Sequence, residues 1–153
     1  MHALELKVPP VVVVLLMAAL MWLVSWAEPV FAFAFPARYF FALSFTLVGL
    51  VVGLLGTASF RRAGTTVNPT KPEASSSLVN SGVYGLTRNP MYLGLLLLLA
   101  GWGVFLSNIL AFMFLPAFIL YINRFQIGPE ERALASRFGP VFVSYKLRVR
   151  RWL

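Results

Sequence analysis

TRNPMYLGLLLLLAGWGVFLSN, residues 87 to 108, decides the architecture of this chain. From Met91 to Leu106 no residue carries a charge, and five successive leucines follow Gly94. Backbone amides in hydrocarbon must bond within their own segment, so such a run reads as a helix in a membrane. Asn89 and Pro90 read as its N-cap and first helical residue, since proline's missing N–H is no loss there. Ser107-Asn108 reads as a tight turn. The span of about 24 Å is short against a hydrocarbon core of about 30 Å.

The same reading extends outward. Downstream, Ile109 to about Arg124 forms a further span with Pro116 as a kink. Upstream, two apolar runs cover about 8–26 and 39–60, joined by the apolar connector VFAFAFP at 30–36. The first could pass for a signal peptide, but only Trp26, Glu28 and Pro29 follow it, with no small-residue cleavage site. The second carries Gly49, Gly53 and Gly56, which either permit close helix contact or simply face lipid. The expected fold class is all-α: four transmembrane helices at about 8–26, 39–60, 91–106 and 109–124, followed by C-terminal amphipathic helices. A polar loop at 61–90 and a tail at 125–153 complete what reads as a single integral-membrane domain of 153 residues.

Composition agrees. The chain is 59% hydrophobic and 12% charged, half the charge of a soluble domain. With no cysteine, no aspartate and one histidine, His2, it has no disulfide and almost no metal ligands, so no metal site is expected. No GxGxxG or GxxxxGK[ST] occurs. The net charge of +8 does not imply nucleic acid, because the basic residues flank apolar spans; acidic lipid head groups are the expected partner. Lys7, Arg61, Arg62, Lys71, Arg88 and the basic residues from Arg124 onward fall on one side, and Arg38 on the other. That asymmetry places both termini in the cytoplasm.

In the tail, Gly128 reads as the end of the fourth helix and Pro129 as the start of another. A second break is expected at Gly139-Pro140. Beyond it Phe142, Tyr145, Val149 and Trp152 form an apolar stripe opposite Lys146, Arg148 and Arg150, suited to lying on the membrane surface.

Chemistry gathers at the polar mouth of these helices. Arg88 beside the Asn89-Pro90 helix start is either an anion site or a capped helix with a snorkelling arginine. Tyr84 and Tyr92 are either interfacial belt residues or π-faces for a heterocycle or a cation. Glu130 and Glu131 either complement a helix dipole or accept from ribose hydroxyls and bind an ammonium group. All of them fall on one face around the long loop. A cofactor with carboxylate, ammonium, ribose and aromatic parts would match that set.

SLVNSGVYGLTRNPMYLG (77–94) and EERALASRFGPVFVSYKLRVRRWL (130–153) resemble the isoprenylcysteine carboxyl methyltransferases, a family similar to the membrane phospholipid methyltransferases. AGTTVNP (63–69) follows the pattern more loosely. The resemblance implies S-adenosyl-L-methionine as cofactor and transfer of its methyl group to a lipophilic acceptor from the membrane. By position, it implies cofactor contacts from Ser76, Ser77, Leu78, Val79 and Tyr84. It further implies contacts from the turn Arg88, Asn89, Pro90, Met91 and Tyr92, and from Glu130 with Glu131; Arg88, Asn89 and Glu130 would serve catalysis. The family usually has histidine where Asn89 stands, and its eukaryotic enzymes have an arginine where Gln126 stands. Two rival readings are an NADPH-dependent membrane reductase of the sterol-reductase kind and a non-catalytic membrane adaptor. The acceptor (carboxylate, amine or thiol) and the oligomeric state are not legible.

Overall fold

The computed structural model describes residues 5–64 and 77–153. Among the described residues it is all helical, with one isolated bridge, Ala32 to Asn108. The helices are α1 (Pro10–Ala27), α2 (Arg38–Arg62), α3 (Pro90–Leu106), α4 (Ile109–Phe112), α5 (Phe114–Ile122), α6 (Gly128–Phe138) and α7 (Pro140–Arg148). Three helical stretches, Pro10–Ala27, Arg38–Arg62 and Ile109–Phe138, are long and apolar enough to cross a membrane. The remaining expected span, α3, has 17 residues and extends about 25 Å.

Local chemistry sets the boundaries. Pro10 occupies the first turn of α1, and Pro29 ends the helix by forcing Glu28 out of helical geometry. Asn108 ties the far-end loops together: its side chain caps α4 by accepting from Leu110 N–H at 2.9 Å and donates to Glu28 O at 3.0 Å. Pro116 acts as expected. It cannot bond to Phe112 O, and the helix is interrupted at Met113 between α4 and α5.

The expected break at Gly128 does not occur. Gly128 is helical (φ −58°, ψ −52°), and a π-helical segment, Asn123–Ile127, carries α5 into α6. Pro129 has no N–H for Phe125 O, and its ring needs room there. The ladder widens instead of ending, with Gly128 N–H reaching back to Asn123 O. Leu6 N–H takes the freed Phe125 O at 3.0 Å. Beside it, Gln126 Nε2 donates to Val8 O at 2.7 Å, while Glu5 pairs with Arg132 at 2.6 Å and Arg124 at 3.6 Å. The N-terminal residues are thereby strapped across the π segment.

α3 is the hub. On one side it meets α2 almost backbone to backbone: a Cβ added at Gly49 would lie 2.8 Å from Gly94 O, one at Gly94 2.6 Å from Gly49 O, and one at Gly101 2.9 Å from Ala42 O. On its other side α3 packs on α1, α4 and α5 around Met21, Leu99, Ala111, Phe118 and Ile122. Trp102 Nε1 also donates to Ala18 O at 3.0 Å, joining α3 to α1.

The C-terminal stripe turns inward. Gly139, at φ +49°, breaks α6 from α7 where glycine tolerates a left-handed φ. Phe142, Tyr145 and Val149 then bury against Leu78, Leu134, Ala135 and Phe138. Trp152 packs on the main core and donates to Asn123 Oδ1 at 3.1 Å. Protein covers the face that the sequence assigns to the membrane surface, because an apolar face is satisfied by whichever apolar surface lies nearest.

Candidate functional site

At the polar end of the bundle the chain between α2 and α3 meets α6, α7 and the C-terminal strand of backbone. Arg88 organises this junction. Its guanidinium donates to Glu131 Oε1 at 2.8 Å, Lys146 O at 2.9 Å and Val149 O at 2.8 Å, while its own N–H donates to Arg150 O at 3.0 Å. Its Nε is buried with no partner among the described residues. Thr87 Oγ1 and Asn89 Nδ2 both donate to Arg151 O, at 3.2 and 2.8 Å. Asn89 does stand at the cap position of α3 with Pro90 following it, but its side chain makes no capping bond. It is used to hold residue 151.

The two glutamates differ sharply. Glu131 is surrounded by cations: Arg88 at 2.8 Å, Arg151 at 2.8 Å and Lys146 at 3.4 Å. Burial pushes its carboxyl up, but the hydrogen bonds and charge of Arg151, with Arg88 and Lys146 beside it, hold it below the usual carboxylate range. Glu130 has no cation against it among the described residues. It lies beyond Arg124, outside the apolar part of the helix, and accepts from Tyr92 Oη at 3.2 Å. Burial pushes its carboxyl up to about 7; the Tyr92 hydrogen bond opposes that rise and the charge of Glu131 adds to it.

Aromatic residues close the space above Glu130. Tyr145 Oη donates to Tyr84 O at 2.7 Å, and Tyr84 stands edge-on to Phe60 with centroids 5.3 Å apart. Burial raises both phenols, Tyr145 to about 12, so neither is a base near neutral pH. The cleft measures about 40 Å³ and is walled by Ser77, Leu78 and Val79, by Tyr84, Arg88 and Asn89, and by Glu130 and Glu131. Phe60, Leu134, Phe142 and Tyr145 complete it.

Eight of the sequence-derived residues therefore meet in one cleft. Ser76 lies outside the described residues. Met91 and Tyr92 line a second space instead, an apolar groove of about 290 Å³ between α1, α2 and α3, with Pro10, Val11, Gly49, Gly53 and Thr57 among its walls. Pro90 packs toward Gly56, where an added Cβ would lie 3.2 Å from Pro90 Cγ. Tyr92 joins the two spaces, its ring in the groove and its hydroxyl on Glu130.

Sequence reasoning missed Phe60, Leu134, Phe142 and Tyr145 as cleft walls, and Lys146 and Arg151 as partners of Glu131. In sequence Phe142 and Tyr145 read as part of a membrane-surface stripe. The basic tail was legible as charge, but nothing in it marked Arg151 as facing inward.

The family model for phospholipid methyltransferases matches residues 37–141. Two curated relatives are protein-S-isoprenylcysteine O-methyltransferases. The one from Saccharomyces cerevisiae is 31% identical over 77% of this chain and 54% of its own length; isoform B from Arabidopsis thaliana is 30% identical over 71% and 55%. The chain thus spans about half the length of each. An uncharacterized protein of Haemophilus influenzae is 52% identical over 41% of this chain and all of its own. No solved structure matches.

Proposed function

The chain belongs to the phospholipid methyltransferase family, and on that premise we propose that it is an integral-membrane methyltransferase using S-adenosyl-L-methionine to methylate a lipophilic acceptor. One observation carries the reading: Tyr92 lines an apolar groove between α1, α2 and α3 and donates to Glu130, a carboxyl with no cation against it among the described residues, in the wall of a polar cleft. A methyl transfer between a charged cofactor and a lipid needs those two environments in contact.

The donor set suits the cofactor. Glu130 offers a carboxylate to an ammonium or to ribose hydroxyls, and Tyr84 with Phe60 offers aromatic faces to adenine or to a cation. Ser77, Leu78 and Val79 supply the facing wall, with Ser76 next to it in the chain. Arg88, Asn89 and Glu131 tie the start of α3 and α6 to the C-terminal segment, and Arg88 has one buried N–H without a partner among the described residues, free to donate to a carboxylate. A cleft of about 40 Å³ holds only part of such a cofactor. S-adenosylmethionine, when bound, supplies a methyl carbon already activated by its sulfonium. The chain's own part is to align the acceptor, exclude water and, for an amine or thiol, accept a proton at Glu130. A carboxylate acceptor needs no base.

In this reading α1, α2, α3 and α4–α5 are four spans of one domain, with both termini cytoplasmic. The basic residues at the polar end, against Arg38 at the other, support that orientation. Since the chain has no cysteine, single cysteines placed at Arg38 and Arg148 report sidedness directly. A membrane-impermeant maleimide on intact cells should label only position 38.

The functional test is calorimetric titration of the detergent-solubilised protein with S-adenosylmethionine, with NADPH in parallel. Micromolar S-adenosylmethionine binding, weakened about 10- to 100-fold by Glu130→Gln, supports the proposal. Binding of NADPH alone would replace it with the reductase, and no binding of either by folded protein would leave the adaptor.

A further inference from the structure

Gly49, Gly53 and Gly56 recur along one face of α2, yet the structure separates them. A Cβ at Gly49 would lie 2.8 Å from Gly94 O, and one at Gly56 2.9 Å from Met91 Cγ. A Cβ at Gly53 meets nothing within 4 Å, although Gly53 lines the apolar groove. The backbone of Gly53 does take part in the α2–α3 contact, since a Cβ added at Gly94 would lie 3.0 Å from Gly53 N, but only at the first and third positions would a side chain on α2 collide with α3. A glycine in a helix interior costs about 1 kcal/mol relative to alanine, and at Gly53 no neighbour would be displaced by a Cβ. What Gly53 leaves is open space in the groove.

The walls say what fits that space. Both of its side-chain hydroxyls are already engaged, Thr57 with Gly53 O at 3.1 Å and Met91 Sδ at 3.7 Å, and Tyr92 with Glu130 at 3.2 Å. Leu50, Leu54, Leu95 and Leu98 supply the remaining surface. Nothing there would recognise a polar group, so the complementary occupant is a hydrocarbon chain. Continuity through Tyr92 with the Glu130 cleft makes it the chain of a molecule whose head group lies at that cleft. Thr57 stands one turn nearer the polar end than Gly53, about 6 Å along α2. A tail that passes Thr57 must then cross Gly53 to go deeper.

We propose that Gly53 is a specificity-determining residue: it keeps the groove open for the acceptor's hydrocarbon chain, and its lack of a side chain sets how long a chain the protein accepts. This rests on reading the groove as the acceptor's site, and the test separates the two ideas. In the cysteine-free chain, Thr57→Cys creates a single thiol at the upper end of the groove. Hexyl and hexadecyl methanethiosulfonate are reacted with it, with and without Gly53→Phe, and labelling is followed by intact mass. Comparing variants with one reagent cancels that reagent's partition into detergent.

The expected result is that Gly53→Phe slows hexadecyl labelling about tenfold and leaves hexyl labelling within about twofold. Gly53→Val gives a smaller selective slowing, which serves where the phenylalanine variant does not fold. Equal rates for both reagents in both Gly53 variants would overturn the role of Gly53. A lipid-facing control, Val51→Cys, tests the underlying reading: hexadecyl labelling no faster at position 57 than at position 51 would show that the groove takes no chain, whatever Gly53 does.

Discussion

The two spaces joined by Tyr92 are built on opposite principles. The polar cleft is held by directional bonds: one guanidinium, Arg88, makes three side-chain bonds that bind α6, α7 and the C-terminal backbone into one wall. The apolar groove is held by close backbone contact at Gly49 and Gly94, with no charged residue in its lining and with Thr57 bonded to its own helix. The cleft should therefore fail through single polar substitutions and respond to pH. The groove should respond to volume alone.

The largest effect is expected at Arg88. Arg88→Ala strands Glu131 with two remaining cations and leaves two carbonyls without their donor, a loss of about 3–5 kcal/mol. Thermal denaturation in detergent would measure it, and limited proteolysis should show α7 released first. Equal stability would mean that the cleft wall does not depend on this residue.

Next comes pH. Glu130, pushed up to about 7 by burial, holds its proton more tightly in the folded protein than in the unfolded chain. Its contribution to stability is thus fully present below about pH 4 and lost as pH rises through about 7, roughly 3 kcal/mol in all. Glu130→Gln should flatten that dependence. A cation in the cleft favours the carboxylate, so affinity for S-adenosylmethionine should rise with pH up to about 7, at most about tenfold per unit, and then level off. Calorimetry at pH 6, 7 and 8 in buffers of differing ionisation enthalpy would show the released proton.

Volume effects in the groove rank third. Gly49→Ala should destabilise the protein by about 1–3 kcal/mol, while Gly53→Ala should leave it unchanged or stabilise it by up to about 1 kcal/mol. Paired melting curves decide, and equal losses at both positions would erase the distinction between them. The smallest effect is expected at the junction. Tyr92→Phe removes one hydrogen bond to Glu130, about 1 kcal/mol, and should move the pH profile upward, because that bond favours the charged carboxylate.

How much of this was legible follows the same division. Apolar length alone located α1, α2, α3 and the start of α4 to within about two residues, since hydrocarbon leaves the backbone few choices. The convergence of Tyr84, Arg88 and Glu130 on one face was also readable, because the order of the apolar spans and the charge asymmetry put the long loop and the tail at the same end. Gly128 misled because a proline that often starts a helix can instead be absorbed by a wider turn, and that choice depends on Leu6, more than a hundred positions away in sequence. Phe142 and Tyr145 misled because periodicity identifies an apolar face without identifying its cover. Arg88 reads in sequence either as a site for a ligand's anion or as a snorkelling arginine; here its guanidinium is engaged by Glu131 of the same chain. Gly49 and Gly53 are indistinguishable in sequence; their difference lies in what α3 and α1 place opposite them.

The bonds from Thr87, Arg88 and Asn89 to the backbone of residues 146 to 151 also fix an order of events during biogenesis. The apolar helices all emerge from the ribosome before the segment that completes the cleft, so they are available to a bilayer before the polar wall can assemble. Until residues 146 to 151 arrive, Arg88 has none of its carbonyl partners and Glu131 lacks Lys146 and Arg151. A nascent chain halted after α5 would lack Glu130, Glu131 and every carbonyl that Arg88 holds, so the cleft can close only once residues 146 to 151 have been made.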